Sequence, residues 1–162
     1  MHFAVIVLTE NGTEGEISEA LAPHYEQEWD WYQVGGRWTG FFDGYKPEDD
    51  PTNIETCNLC AGTGTRKDMK VENGCNGCQG KGKRVKWPTE WETRPGDTIE
   101  TSKLTEENIK KAYAVVDRTG WHGGERYIPW GDGMKGKFQR MPKPPVDWAK
   151  KHRCATIVDC HN

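Results

Sequence analysis

The chain has 162 residues, 34% of them hydrophobic and eight of them tryptophan, with a mean hydropathy of −0.91, which suits one compact domain carrying an insertion. No apolar run approaches membrane-spanning length, and Phe3–Leu8 is too short and lacks the basic start of a secretion signal, so a membrane-embedded class is excluded and a cytoplasmic protein is expected. The net charge of −3 averages over blocks: residues 1–56 hold 12 acids and 2 bases, residues 57–87 hold 7 bases and 2 acids, and residues 134–153 carry +6.

HFAVIVL (2–8) is a β-rich apolar run and predicts a central strand. Asn11-Gly12 marks a turn. In EGEISEALA (14–22) the acids of the first turn suit the helix dipole, and Ile17, Ala20 and Leu21 share a face. A short helix ended by Pro23 is expected. In EWDWYQVGGRWTGFF (28–42) Trp29, Trp31 and Gln33 alternate with Asp30, Tyr32 and Val34. Gly35-Gly36 then turns the chain and Arg37–Phe42 returns, which predicts a β-hairpin. Residues 43–56 are acidic and contain proline, as a linker does.

Residues 57–64 read CNLCAGTG and residues 75–82 read CNGCQGKG, the same C-x-x-C-x-G-x-G pattern twice. Cys57, Cys60, Cys75 and Cys78 are thus spaced close to the pattern of zinc ribbons. Each Cys-x-x-Cys turn places two sulfurs on one side of a loop, and two turns supply the four thiolates that Zn²⁺ favours in a structural site. Gly62, Gly64, Gly80 and Gly82 allow the positive φ and close backbone approach such loops need. Two redox pairs or disulfides are the alternative, but a redox pair opens a helix in a βαβ setting, which nothing here resembles. With all four positions filled by thiolate the ion has no open site, so one structural zinc is expected and not a catalytic one. The bound segment keeps a charge of about +3. Lys81, Lys83, Arg84 and Lys86 could approach nucleic acid, with Trp87 stacking a base.

These paired repeats resemble the cysteine-rich region of DnaJ-type chaperones, which has four repeats and two zincs. The resemblance covers residues 57–82 and implies one zinc here. No His-Pro-Asp motif of a J-domain occurs, so no role beside Hsp70 is implied. The half-sized module also resembles that of anti-TRAP, where it serves protein binding.

Residues 88–101 read as an irregular return. Thr105 followed by Glu106 and Glu107 starts a helix that runs to about Lys111. YAVVD (113–117) is strand-like, Arg118-Thr119-Gly120 turns, and Trp121 begins a return. Residues 131–145, rich in Lys, Gly and Pro, read as a mobile loop. VDWAKKH (146–152) can make two helical turns, and CATIVDC (154–160) is a final strand. An α+β domain is expected over residues 1–56 and 88–162, with a mainly antiparallel sheet and two or three short helices, interrupted by a zinc finger at 57–87. The cysteine usage points to a reducing compartment. Cys154 and Cys160, about 20 Å apart along a strand, cannot bond to each other.

WDWYQVGGRWTG (29–40), YAVVDRTGWHGG (113–124) and TIVDCHN (156–162) resemble segments of a family of small proteins of actinobacteria and their phages. That family carries similar Gly-Gly-Arg-Trp, Trp-His and terminal Val-Asp-Cys-His segments. The match covers about a third of the chain. It brings no known activity and implies that the finger interrupts a pre-existing domain; Asn162 departs from it, standing where an apolar residue is expected.

Arg37, His122, Asp159, Cys160 and His161 are the chemically capable residues in these segments. The two-residue period of a strand puts Cys154, Thr156, Val158 and Cys160 on one face and Ala155, Ile157, Asp159 and His161 on the other. Cys160 and His161 are therefore no nucleophile–base pair. Asp159, His161 and a distant His122 could meet on one face as a carboxylate-supported base, with Arg37 suiting a phosphate or carboxylate. The structural alternative has Arg37 stacked between Trp31 and Trp38 or paired with an acid, and the histidines satisfying polar groups at strand ends. Two readings of function follow. A binding protein would present the finger and the basic loop to a host protein, a protein–nucleic-acid complex or nucleic acid itself, as a phage inhibitor of a host nuclease or defence system does. A small hydrolase or transferase would use His122, Asp159 and His161. Charge blocks favour the first, unless they neutralise one another in the fold.

Overall fold

A computed structural model describes residues 1–66, 74–86, 94, 96–128 and 137–162. In chain order it contains β1 (His2–Thr9), α1 (Glu14–Leu21), β2 (Trp31–Val34), β3 (Ile54–Thr56), β4 (Lys83–Val85), β5 (Thr98–Glu100), α2 (Glu106–Lys111), β6 (Ala114–Asp117), β7 (Gly120–Gly123), β8 (Glu125–Ile128), β9 (Lys137–Arg140), α3 (Val146–Ala149) and β10 (Cys154–His161). The chain divides into two compact units, Met1–Tyr45 with Thr89–Asn162, and Lys46–Pro88. Among the described residues no helix is long and apolar enough to cross a membrane.

The larger unit is α+β. Its sheet runs β2-β10-β1-β6-β7, mostly antiparallel, with β1 and β6 parallel. β1 is apolar from Phe3 to Leu8 because both its faces are covered there. Val5 and Val7 join Ile17, Ala20 and Leu21 of α1, while Ala4, Ile6 and Leu8 join Ile109 of α2 and Ala149 of α3. The strand β10 splits the same way: Val158 and Cys160 face α1, and Ala155 and Ile157 face the other layer. Both longer helices start on a reciprocal cap, Thr13 with Glu16 and Thr105 with Asn108, which satisfies amides that have no partner within the helix. At the far end of α2 the Lys143 ammonium bonds the carbonyls of Ile109, Lys110 and Ala112. Burial pushes that ammonium below its usual range, so this lysine of the basic segment is spent inside the fold.

Three local expectations change. First, Gly35-Gly36 does not close a hairpin. β2 pairs with β10 over Val34↔Val158 to Trp31↔His161, and the chain after it enters a 3₁₀ turn, Gly36–Trp38. Two carboxylates decide this, Asp97 packed against Gly35 and Asp159 against Gly36. Gly36 lies so close to Asp159 that any side chain would strike it, and the Arg37 N–H is donated to Asp159 at 3.2 Å. Trp38, Phe41 and Phe42 then pack over the α2–α3 side of the sheet instead of returning as a strand. Second, the irregular return contains β5, which pairs with Cys154–Thr156 on the edge of β10 that β2 uses further along. At the joint Ile157 donates to the Asp97 carbonyl, and the Asp97 carboxylate takes the Arg94 amide and the Thr39 hydroxyl. Burial holds that carboxyl above its usual range. Third, part of the lysine-rich loop is strand. β9 pairs antiparallel with β8, with Arg140 opposite Glu125; opposite charges in register favour the pair. Residues 131–136 of that loop lie outside the described residues.

The smaller unit holds the two-stranded ladder β3–β4, with Ile54↔Val85 and Thr56↔Lys83 in register. It begins at Lys46, so two 3₁₀ turns, Pro47–Asp49 and Pro51–Asn53, belong to it. The acidic stretch expected as a linker is therefore part of this unit. Its buried hydrophobic cluster among the described residues consists of four cysteines.

Candidate metal centre

Both Cys-x-x-Cys turns fold onto each other with the same bonds. Cys57 N–H donates to the Gly82 carbonyl at 2.9 Å, and Cys75 N–H donates to the Gly64 carbonyl at 2.7 Å. Within each turn the first cysteine carbonyl accepts from a glycine amide at 3.2 Å, Gly62 and Gly80 respectively. The last glycine of each repeat presses on the first glycine of the other. A side chain on Gly64 would meet the Gly80 carbonyl, and one on Gly82 the Gly62 carbonyl. Their φ values of +76° and +71° also suit glycine. The repeat in the sequence is thus an approximate two-fold in space.

This doubling brings four buried sulfurs together. All lie within 4.8 Å of one another, with Cys57–Cys75 at 3.9 Å and Cys60–Cys78 at 3.7 Å. A disulfide needs about 2.05 Å, so neither pair is one. A tetrahedron of thiolates about 2.3 Å from a central ion has edges of about 3.8 Å, which the two measured edges match. Amides point inward as well, the Gly82 N–H lying 3.2 Å from Cys78 Sγ. Burial raises the Cys60 thiol, but the amides of Gly64 and Gly62 and the adjacent thiols bring it down to about 7. Cys78 is pushed up to about 11, by burial and by the three neighbouring sulfurs against the Gly82 amide. Four thiols so close do not all ionise by themselves, because each anion opposes the next. A bound cation removes that opposition and releases protons as it binds. The four cysteines can therefore hold one metal ion, with no position left for substrate.

The basic residues expected beside this centre are partly committed. Lys81, Lys83 and Lys86 are exposed, whereas Arg84 Nε lies 2.7 Å from the Glu55 carboxylate. Trp87 lies outside the described residues.

In the larger unit the proposed His122, Asp159 and His161 share a face but do not meet. Three strand spacings and four residues of rise separate His122 from His161, roughly 14 Å and 13 Å. His122 Nε2 lies 3.6 Å from Asp117, whose other oxygen is 3.3 Å from His152, and Trp148 packs on both rings. His161 Nδ1 lies 2.8 Å from Asp30. Asp159 is fully buried and faces His2 Nδ1 at 3.0 Å and Arg37 Nε at 4.0 Å. Arg37 thus pairs with an acid, one of the two structural roles expected for it. His2 is the residue that sequence reasoning missed. No local signal marked it, because only the end-to-end pairing of β1 with β10 sets position 2 against position 161.

Compared with protein-family models, with curated proteins and with solved structures, the chain matches none.

Proposed function

We propose that the protein is a zinc-bearing binding protein whose cysteine unit docks onto another protein. Zinc is the ion that suits four buried thiolates in a closed tetrahedral set, a role that is structural and not catalytic.

The observation that carries the reading is the charge of the unit. Residues 46–88 hold 8 bases and 6 acids, a surplus that a tetrathiolate zinc centre of charge about −2 cancels. The acidic stretch that shares the unit thus offsets the basic strand. A near-neutral surface gains little from phosphate neutralisation, which supplies most of the affinity of nucleic-acid binders. A cleft of about 550 Å³ beside the second Cys-x-x-Cys turn is lined by Ile54 and Val85, with Lys81, Lys83 and Arg84 outnumbering Glu48 on its wall. Leu59, 47% exposed, lies against Gly77 at its rim. Such a cleft suits an apolar side chain flanked by carboxylates. The finer reading we propose is an inhibitor of a host nucleic-acid-handling or defence protein in the host cytoplasm, by analogy with the phage-borne proteins that the flanking segments resemble, a resemblance that brings no activity of its own.

Capture of partners by the intact protein, with and without nuclease and at low and high salt, tests the reading. The expected partner is a protein, kept at high salt and after nuclease, and lost with Leu59→Ser or Val85→Asp at unchanged zinc content. Binding that needs nucleic acid and falls steeply with salt would instead favour a nucleic-acid regulator acting through Lys81, Lys83 and Lys86.

A further inference from the structure

At one end of the sheet the start of β2, the end of β10 and the start of β1 lie side by side. Their register puts Trp31, His161 and His2 in one row on one face. Asp159 lies beneath the row, fully buried, and the backbone of Gly36 closes over it. A buried carboxylate is costly unless it is paired. This one is held between His2 Nδ1 and the Arg37 amide. His161 Nδ1 is held in the same way by Asp30. A carboxylate at Nδ1 fixes the proton on that nitrogen and leaves Nε2 to give or take one. The two rings are 5.0 Å apart, and the Trp31 ring stands 5.9 Å from His2. All three side chains reach solvent, as does the guanidinium of Arg37.

Two oriented imidazoles beside a guanidinium match a phosphodiester, with one ring as base, the other as acid, and Arg37 on a non-bridging oxygen. The row offers no nucleophile of its own, since Cys160 lies on the opposite face of the strand. Among the described residues the four cysteines alone form a group of three or more metal-ligating side chains. Such a pair can activate water, or a hydroxyl that the substrate itself carries. RNA carries one, the 2′-hydroxyl adjacent to each phosphate. The open row suits a polymer, and the exposed Trp31 ring offers a surface on which an unpaired base can stack.

We propose that this row cleaves single-stranded RNA by internal transesterification, with His2 and His161 as the acid–base pair. One Nε2 accepts the 2′-hydroxyl proton as the O2′–P bond forms. The Nε2–H of the other ring protonates O5′ as the P–O5′ bond breaks. The products are a 2′,3′-cyclic phosphate and a 5′-hydroxyl, and proton exchange with water resets the pair. Arg37 and Trp31 bind; Asp159 and Asp30 position the rings. The charged groups facing the pair are Asp159, Asp30, Arg37 and the Met1 amino group. The inference concerns the larger unit and does not depend on what the cysteine unit binds.

The test uses the full zinc-loaded chain on a labelled single-stranded RNA and on the same RNA with one 2′-deoxy position. Cleavage to cyclic-phosphate ends is expected, absent at the deoxy position, with a rate that rises and falls across pH 5–8. His2→Gln and His161→Gln are each expected to lower kcat by about 100-fold or more. Asp159→Asn should lower kcat and shift the pH profile at unchanged KM, and Trp31→Phe should raise KM with kcat kept. His122→Gln should cleave as the unaltered protein does. His161 lies at the surface, so its variant keeps the proposal testable even if the His2 variant fails to fold. Absence of cleavage, cutting at the deoxy position, or equal activity in a folded His161→Gln protein would each overturn it.

Discussion

At the scale of single residues, one side chain and one missing side chain do the most. Burial alone would raise the Asp117 carboxyl, but Thr119 donates to it through its hydroxyl at 2.7 Å and its amide at 2.8 Å, Gly120 donates at 3.1 Å, and His152 stands close. Together these hold it below its usual range. A carboxyl with a lowered folded-state value contributes stability above its unfolded value of about 3.9 and loses it as pH falls through the folded value. Asp117→Asn is therefore expected to cost about 1–2 kcal/mol at pH 7. The deficit should close below about pH 4, read from urea unfolding across a pH series. Gly64 acts through what it lacks. Gly64→Ala forces a methyl group against the Gly80 carbonyl at φ +76°. The expected result is a cysteine unit weakened by about 1–3 kcal/mol, seen as faster loss of zinc to a chromogenic chelator.

At the scale of elements, the two units are held by different means. The sheet of the larger unit is covered on both faces, and Ile157 of β10 is fully buried in it. Ile157→Ala should cost about 2–4 kcal/mol in the melting of that unit. The ladder β3–β4 has three residues a side, and the cysteines are the hydrophobic cluster beneath it. Removing the ion leaves four thiols that oppose one another's ionisation and little apolar area to replace them. Chelation, or Cys57→Ser, should open residues 54–66 and 74–86 to amide exchange while the strands β1, β6 and β10 stay protected. Exchange followed by mass spectrometry with and without chelator separates the two. Continued protection of residues 54–66 and 74–86 without metal would show that the ion is not what holds the unit.

At the scale of the whole molecule, Lys46–Pro88 interrupts a unit whose sheet is closed by β1 and β10, from the two ends of the described chain. A two-residue to six-residue Gly-Ser link from Tyr45 to Thr89 should therefore leave the larger unit folded, with one cooperative transition. Loss of the protein partner together with kept RNA cleavage is the expected pattern. Kept partner binding would place the docking surface in the larger unit.

The sequence by itself determined the four-cysteine cluster, the two longer helices and the central strands, because each is written in local spacing. Two cysteines and two glycines must recur at fixed intervals to fold around an ion. The caps Thr13/Glu16 and Thr105/Asn108 lie three residues apart, and the faces of 154–160 follow from the two-residue period alone. What only the tertiary structure decided depends on partners distant in sequence. Gly35-Gly36 reads as a hairpin turn until Asp97 and Asp159, both distant in sequence, pack against its two glycines. β9 reads as a charged loop until β8 supplies its ladder. His122 and His161 share a face on paper, yet two intervening strands keep them apart. His2, an unremarked residue at the edge of an apolar run, stands beside His161 because β1 and β10 pair antiparallel along their whole length.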